Sequence, residues 1–168
     1  VTYQGTVTTT ITDAGNTTPP EEADTAFTLQ LFAVDPDTGA LSAVNSMAEQ
    51  NDAENGDITA SYVVRAVDNT TGVVLSTQPS GTVTVNVGAV GDSATSADYT
   101  GSNTVIATID TIFTIDSIDD DFADNGETFS LALEDNSWSS DDDYEAVTYQ
   151  GTVTTTITDA GNTTPPEE

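Results

Sequence analysis

The chain has no cysteine, no histidine and no lysine, and Arg65 is its one basic residue. Disulfides therefore add nothing to its stability, and nucleophilic catalysis through Cys–His, Ser–His or a lysine amine is excluded. Zinc sites built from nitrogen and sulfur are excluded for the same reason. Phosphate backbones and anionic lipid surfaces are held by Lys and Arg, so neither nucleic acid nor membrane insertion is expected. No apolar run is long enough to span a bilayer.

Acid is what the chain has in excess: 29 Asp and Glu give a formal net charge of -28. Self-repulsion on this scale destabilises a compact state unless cations screen or bind it. Carboxylates spread over a surface would serve solubility, whereas clustered ones can chelate Ca²⁺, which takes roughly six to eight oxygen ligands. The acids are absent from Thr82–Val87 and Thr152–Thr158 and gather in DAENGD (52–57), DSIDDDFADNGE (116–127) and SSDDDYE (139–145). Clustering favours metal.

Val1–Glu22, VTYQGTVTTTITDAGNTTPPEE, is identical to Val147–Glu168, an offset of 146 residues. Perfect self-similarity over that length is the signature of a tandem array. The expected division is residues 1–13 as the last strand of a preceding repeat, 14–22 as a Pro-rich acidic linker, 23–159 as one complete domain and 160–168 as the next linker. Pro19-Pro20 hold the link extended and stiff. Neighbouring copies of the same repeat are thus the expected partners, and residues 1–12 are open to strand exchange in place of Val147–Thr158.

Helix formers are sparse, while Thr and Val fall in short alternating runs punctuated by Gly, Asn and Asp. That pattern reads as all-β. Strands are expected at Phe27–Val34, Leu41–Met47, Ile58–Val67, Val73–Ser76, Thr82–Val87, Thr111–Ile118, around Phe129–Leu133, and at Val147–Thr158. In Thr82–Val87 the alternation places Val83, Val85 and Val87 inward. DPDTG (35–39) and NTTG (69–72) read as turns. This many strands at this spacing suits a two-sheet antiparallel sandwich.

Asp98-Tyr-Thr, a strand ending in Ile118-Asp-Asp120, a Glu127-Thr-Phe129 strand start and a last strand closing in TITD together resemble a Calx-β domain, over roughly Glu54 to Asp159. Long copies joined by Pro-rich acidic linkers resemble more narrowly the extender repeats of giant RTX-type adhesins that bacteria export by type I secretion. The resemblance implies an Ig-like sandwich repeated in tandem, Ca²⁺ at acidic loops and domain junctions, and a bacterial cell-surface location. Carried over residue by residue, it places the ion-binding loop on Asp119, Asp120 and Asp124, with Asp98 and Glu54 converging on the same end. Asp159 completes the set, and Asp13 is its copy. Where many Calx-β domains end in a run of acids, this chain has Asp159-Ala-Gly, which turns attention to Glu21 and Glu22 in the linker for the remaining oxygens.

The expectation is therefore a non-enzymatic, extracellular stalk module stiffened by Ca²⁺ to project a ligand-binding tip. The alternative is a Ca²⁺-dependent carbohydrate- or surface-binding module, with Trp138 beside Asp141–Asp143 as a sugar platform rather than a cap on the core.

Overall fold

Two sheets face each other across one apolar core. The computed structural model describes residues 26–50, 56–119, 125–140 and 146–159. Among these the strands are β1 (Phe27–Val34), β2 (Leu41–Ser42), β3 (Val44–Ala48), β4 (Thr59–Asp68), β5 (Thr82–Val87), β6 (Thr104–Thr108), β7 (Phe113–Asp116), β8 (Glu127–Leu133), β9 (Val147–Gln150) and β10 (Thr152–Thr158). The first sheet has the order β2-β1-β4-β7 with β9 also on β1; the second is β3-β10-β8-β5-β6. This is the expected Ig-like all-β sandwich. No helix among the described residues is long and apolar enough to cross a membrane.

Two pairings depart from a purely antiparallel arrangement. β9 runs parallel to β1, from Phe27↔Val147 to Gln30↔Gln150, and β10 runs parallel to β3, from Thr154↔Val44 to Thr158↔Ala48. Both come from strands that change sheet. The expected strand Leu41–Met47 breaks at Ala43 into β2 and β3, and the expected strand Val147–Thr158 breaks at Gly151 into β9 and β10. A Cβ at Gly151 would sit 2.8 Å from the Leu31 carbonyl oxygen, so the chain crosses between sheets where only glycine fits.

The period-2 alternation sorts the side chains as the sequence implied. Ala60, Tyr62, Val64 and Ala66 of β4 and Val83, Val85 and Val87 of β5 all belong to the core, along with Phe27, Leu29, Leu31, Met47, Phe129 and Leu131. Tyr99 stacks on Phe129 with ring centroids 4.2 Å apart. One expected strand is absent: Val73–Ser76 makes only a bridge, Val67↔Val74, and the Gln78 side chain then bonds Ala66 and Leu75 backbone in place of a ladder. The turns at Asp35 and Asp68 form as read. In each the aspartate Oδ1 accepts the backbone N–H groups two and three residues on.

Arg65 lies on the outer face of β4, where its Nε donates to Asp110 Oδ1 at 2.7 Å. A half-exposed pair of this kind is worth at most about 1 kcal/mol. The chain's single base neutralises one carboxylate and leaves the acidic excess intact.

Candidate metal centre

One end of the sandwich gathers the strand ends that carry acids. The inward row of β10 runs Val153, Thr155, Ile157 and continues into Asp159, which is buried. Beside it, the inward position after Met47 on β3 is Glu49, also buried. The parallel ladder pairs Ile157 with Met47 and Thr158 with Ala48. It is prolonged by the Glu49 N–H donating to the Thr158 carbonyl at 3.0 Å. Two carboxylates, 4% and 6% exposed, thus end adjacent strands where the core row would otherwise hold apolar side chains.

Backbone contacts draw the other loops to this end. The Ser117 hydroxyl donates to the Ala48 carbonyl at 2.7 Å and Ala48 N–H donates to the Asp57 carbonyl at 2.7 Å. Ile118 N–H donates to the Asp98 carbonyl at 2.9 Å, which sets Asp98 against the segment that leads into Asp119. From the other side, Asp159 N–H donates to Asn125 Oδ1 at 3.2 Å, and Gly126 N–H donates to the Ile157 carbonyl at 3.0 Å. Residues 48–49, 57–58, 98, 117–119, 125–126 and 157–159 therefore form one connected rim.

Of the residues singled out in the sequence, Asp98, Asp119 and Asp159 come to this rim. Glu54, Asp120, Asp124, Asp13, Glu21 and Glu22 lie outside the described residues. Among the described residues, no three acidic side chains are grouped closely enough to hold a metal ion by themselves. Asp119 is exposed, whereas Asp98 is half-buried and its carboxylate already caps its own turn, Oδ2 accepting from the Thr95 backbone N–H and, at 2.9 Å, from the Thr95 hydroxyl.

Glu49 is the residue that sequence reading missed. Its signal was present: in SMAEQ, Met47 is an inward position, and the next inward position two residues on is the glutamate. Ending the strand at Met47 hid it. Asn125, an uncharged amide within the acidic stretch 116–127, carries no charge signal to set it apart in the sequence.

Not every acid near the rim is available for ligation. Asp92 accepts from Ala89 N–H at 2.6 Å, Ser130 N–H at 2.7 Å and the Ser130 hydroxyl at 2.9 Å, so it locks a loop onto β8. The negative field is felt by Tyr99: burial first, then the charges of Asp92 and Asp98, push its hydroxyl above the ordinary tyrosine range. The donors on the rim are carboxylate, amide and carbonyl oxygens, hard ligands that suit Ca²⁺ rather than a softer metal.

Trp138 is half-buried against the core. Its indole meets Phe27 edge-on at 5.7 Å and its Nε1 donates to the Ser80 carbonyl at 3.2 Å. That is the geometry of a core cap.

Solved structures to which the chain is similar include the apo form of the Calx CBD1 domain, at 16% identity and a TM-score of 0.47, covering 78% of this chain and 96% of that one. Another is CBD12 from CALX1.2, at 16% identity and a TM-score of 0.45, covering 77% of this chain and 45% of that one. No family model matches the chain, and no curated protein does.

Proposed function

We propose that this chain is a Ca²⁺-binding sandwich module acting as a stiff link in an extracellular, cell-surface stalk. The observation that carries the reading is the burial of Glu49 and Asp159 at the ends of neighbouring parallel strands. Carboxylate charge taken out of water costs several kcal/mol unless a cation or well-placed donors offset it. A divalent cation between the strand ends would offset that cost and tie the two strands together. Glu49 and Asp159 would hold it together with further oxygens, for which Asp119, the following Asp120 and Asp124, and Glu54 five residues after Glu49 are the acids nearest in sequence.

The link to stiffness is positional. Asp159 directly precedes the Pro-rich acidic segment that ends in Pro165-Pro166-Glu-Glu168. An ion held at Asp159 fixes the exit direction of that segment, and the prolines carry the direction onward. Repetition of the joint sequence at both ends fits a series of equal links, for which a single recognition site is a poor match. Extracellular modules bind Ca²⁺ weakly, in step with the high Ca²⁺ outside cells.

Calorimetric melting with Ca²⁺ and with a chelator tests this reading, Mg²⁺ serving as control. A site whose Kd lies about 100-fold below the Ca²⁺ concentration adds about 2.7 kcal/mol. The melting temperature is expected to rise by roughly ten degrees with Ca²⁺. Equal melting temperatures in Ca²⁺ and chelator would overturn it.

A further inference from the structure

The strand that closes this sandwich is written twice in the chain. Val147–Thr158 lies along β1 in one sheet, crosses at Gly151, and then occupies the slot between β3 and β8 in the other. It supplies Val153, Thr155 and Ile157 to the buried interior and packs Val147 and Tyr149 against it. Removing it would open a central gap in the second sheet. Every feature that fits it to that gap recurs at the same spacing in residues 1–12: Tyr3 for Tyr149, Gly5 for Gly151, Val7 for Val153, Thr9 for Thr155 and Ile11 for Ile157.

We propose that residues 1–12 are a second closing strand for the same sandwich, able to take the β9–β10 slot in place of residues 147–158. The side-chain set is identical, so the core contacts, the hydrogen bond that joins the Thr155 hydroxyl to the Tyr62 hydroxyl and the glycine crossover at Leu31 are all available to either copy. Reach permits it. With residues 1–12 in the slot, Thr12 sits beside Ala48, and the chain must return to Phe27 at the other end. The slot is about 36 Å long at strand rise. The fifteen steps from Thr12 to Phe27 extend to about 50 Å, which leaves enough to run back along the outside of the sandwich. Being tethered, residues 1–12 face the slot at an effective concentration on the order of millimolar, so the same chain is the favoured donor over another molecule.

When residues 1–12 close the sandwich, residues 147–158 are released with the sequence of a donor for a further copy. The module can thus exist in two closures that differ only in which copy of one strand is used.

The full 168-residue chain tests this directly. V153D/I157D places charges at two inward positions of the C-terminal copy and prevents it from closing the core. V7D/I11D does the same to the N-terminal copy, and the quadruple variant disables both. V7D/I11D is expected to melt like the parent. V153D/I157D is expected to keep a cooperative melt and near-UV circular dichroism as a monomer by light scattering, while the quadruple variant loses both signals. A V153D/I157D chain as unfolded as the quadruple variant would overturn the proposal. One that folds only as a dimer or larger species would overturn the same-chain donor.

Discussion

The hydroxyl oxygens of Tyr62 and Thr155 lie 2.6 Å apart, joining β4 of one sheet to β10 of the other through the middle of the core. Both residues are fully buried. A polar bond in that place holds the register of the two sheets, because each hydroxyl has given up water to make it. Burial first holds the Tyr62 hydroxyl well above its ordinary value of 10.0, with the Thr155 bond working in the opposite direction.

The pair therefore behaves asymmetrically. T155V strands the Tyr62 hydroxyl and is expected to cost about 1–3 kcal/mol in denaturant unfolding, whereas Y62F combined with T155V recovers much of the loss. In alkali the unfolded chain ionises first, since its tyrosine keeps the ordinary pKa. The stability that neutral Tyr62 supplies is full below pH 10 and declines as pH rises beyond it. Y62F is expected to flatten that alkaline decline; an unchanged slope would place its cause elsewhere.

Glu49 and Asp159 give a second expectation. E49Q and D159N each remove one negative charge at nearly constant volume. In chelator both variants are expected to melt at or above the parent, because one fewer carboxylate charge is held out of water. In Ca²⁺ both are expected to lose most of the roughly ten-degree gain. Opposite signs in the two conditions separate loss of an ion ligand from simple structural damage, which lowers both. D92N serves as the contrasting acid: its carboxylate is held by Ala89 and Ser130, so it should weaken the fold equally with and without Ca²⁺.

The alternation of β4, β5 and β8 made most of the core legible, since a period of two assigns faces without knowledge of the partner strand. Sheet changes were not legible. Ala43 and Gly151 interrupt runs whose side-chain pattern continues straight through, and only the approach of Gly151 to Leu31 shows why the chain turns there. Val73–Ser76 has strand-like composition, but Gln78 satisfies the backbone it would have paired with. At the rim, the order of the DYT, IDD and TITD motifs pointed to Asp98, Asp119 and Asp159, whereas nothing in the motif order pointed to Glu49. Burial of a carboxylate depends on what packs over it, which strand composition does not encode.

Asp68 tests the turns. Its carboxylate is held below the ordinary range first by the Thr71 backbone N–H, then by the Thr71 hydroxyl and the Thr70 N–H. A depressed pKa contributes stability that is present above the ordinary value of 3.8 and is lost as pH falls through the lower folded value. D68A is expected to melt below the parent at pH 6, and the gap should narrow as pH is taken toward 2. A gap that stays constant would mean that the turn depends on shape and not on the carboxylate charge.

Gly151 offers the sharpest test of the sheet crossover. Its φ of 92° is strained for any residue with a Cβ, and such an atom would also lie 2.8 Å from the Leu31 carbonyl oxygen and 3.1 Å from its nitrogen. Gly91 has a similar φ of 106° with open space where a Cβ would go. G91A therefore measures the backbone penalty alone, about 1–3 kcal/mol. G151A adds displacement of β1 backbone, which is shared by β4 on one side and β9 on the other and cannot give way without disturbing both. The expected loss for G151A exceeds that for G91A by at least about 1–2 kcal/mol in denaturant unfolding, within the range for overpacking. Equal losses would show that the crossover has room to spare, and that glycine is required there for its φ alone.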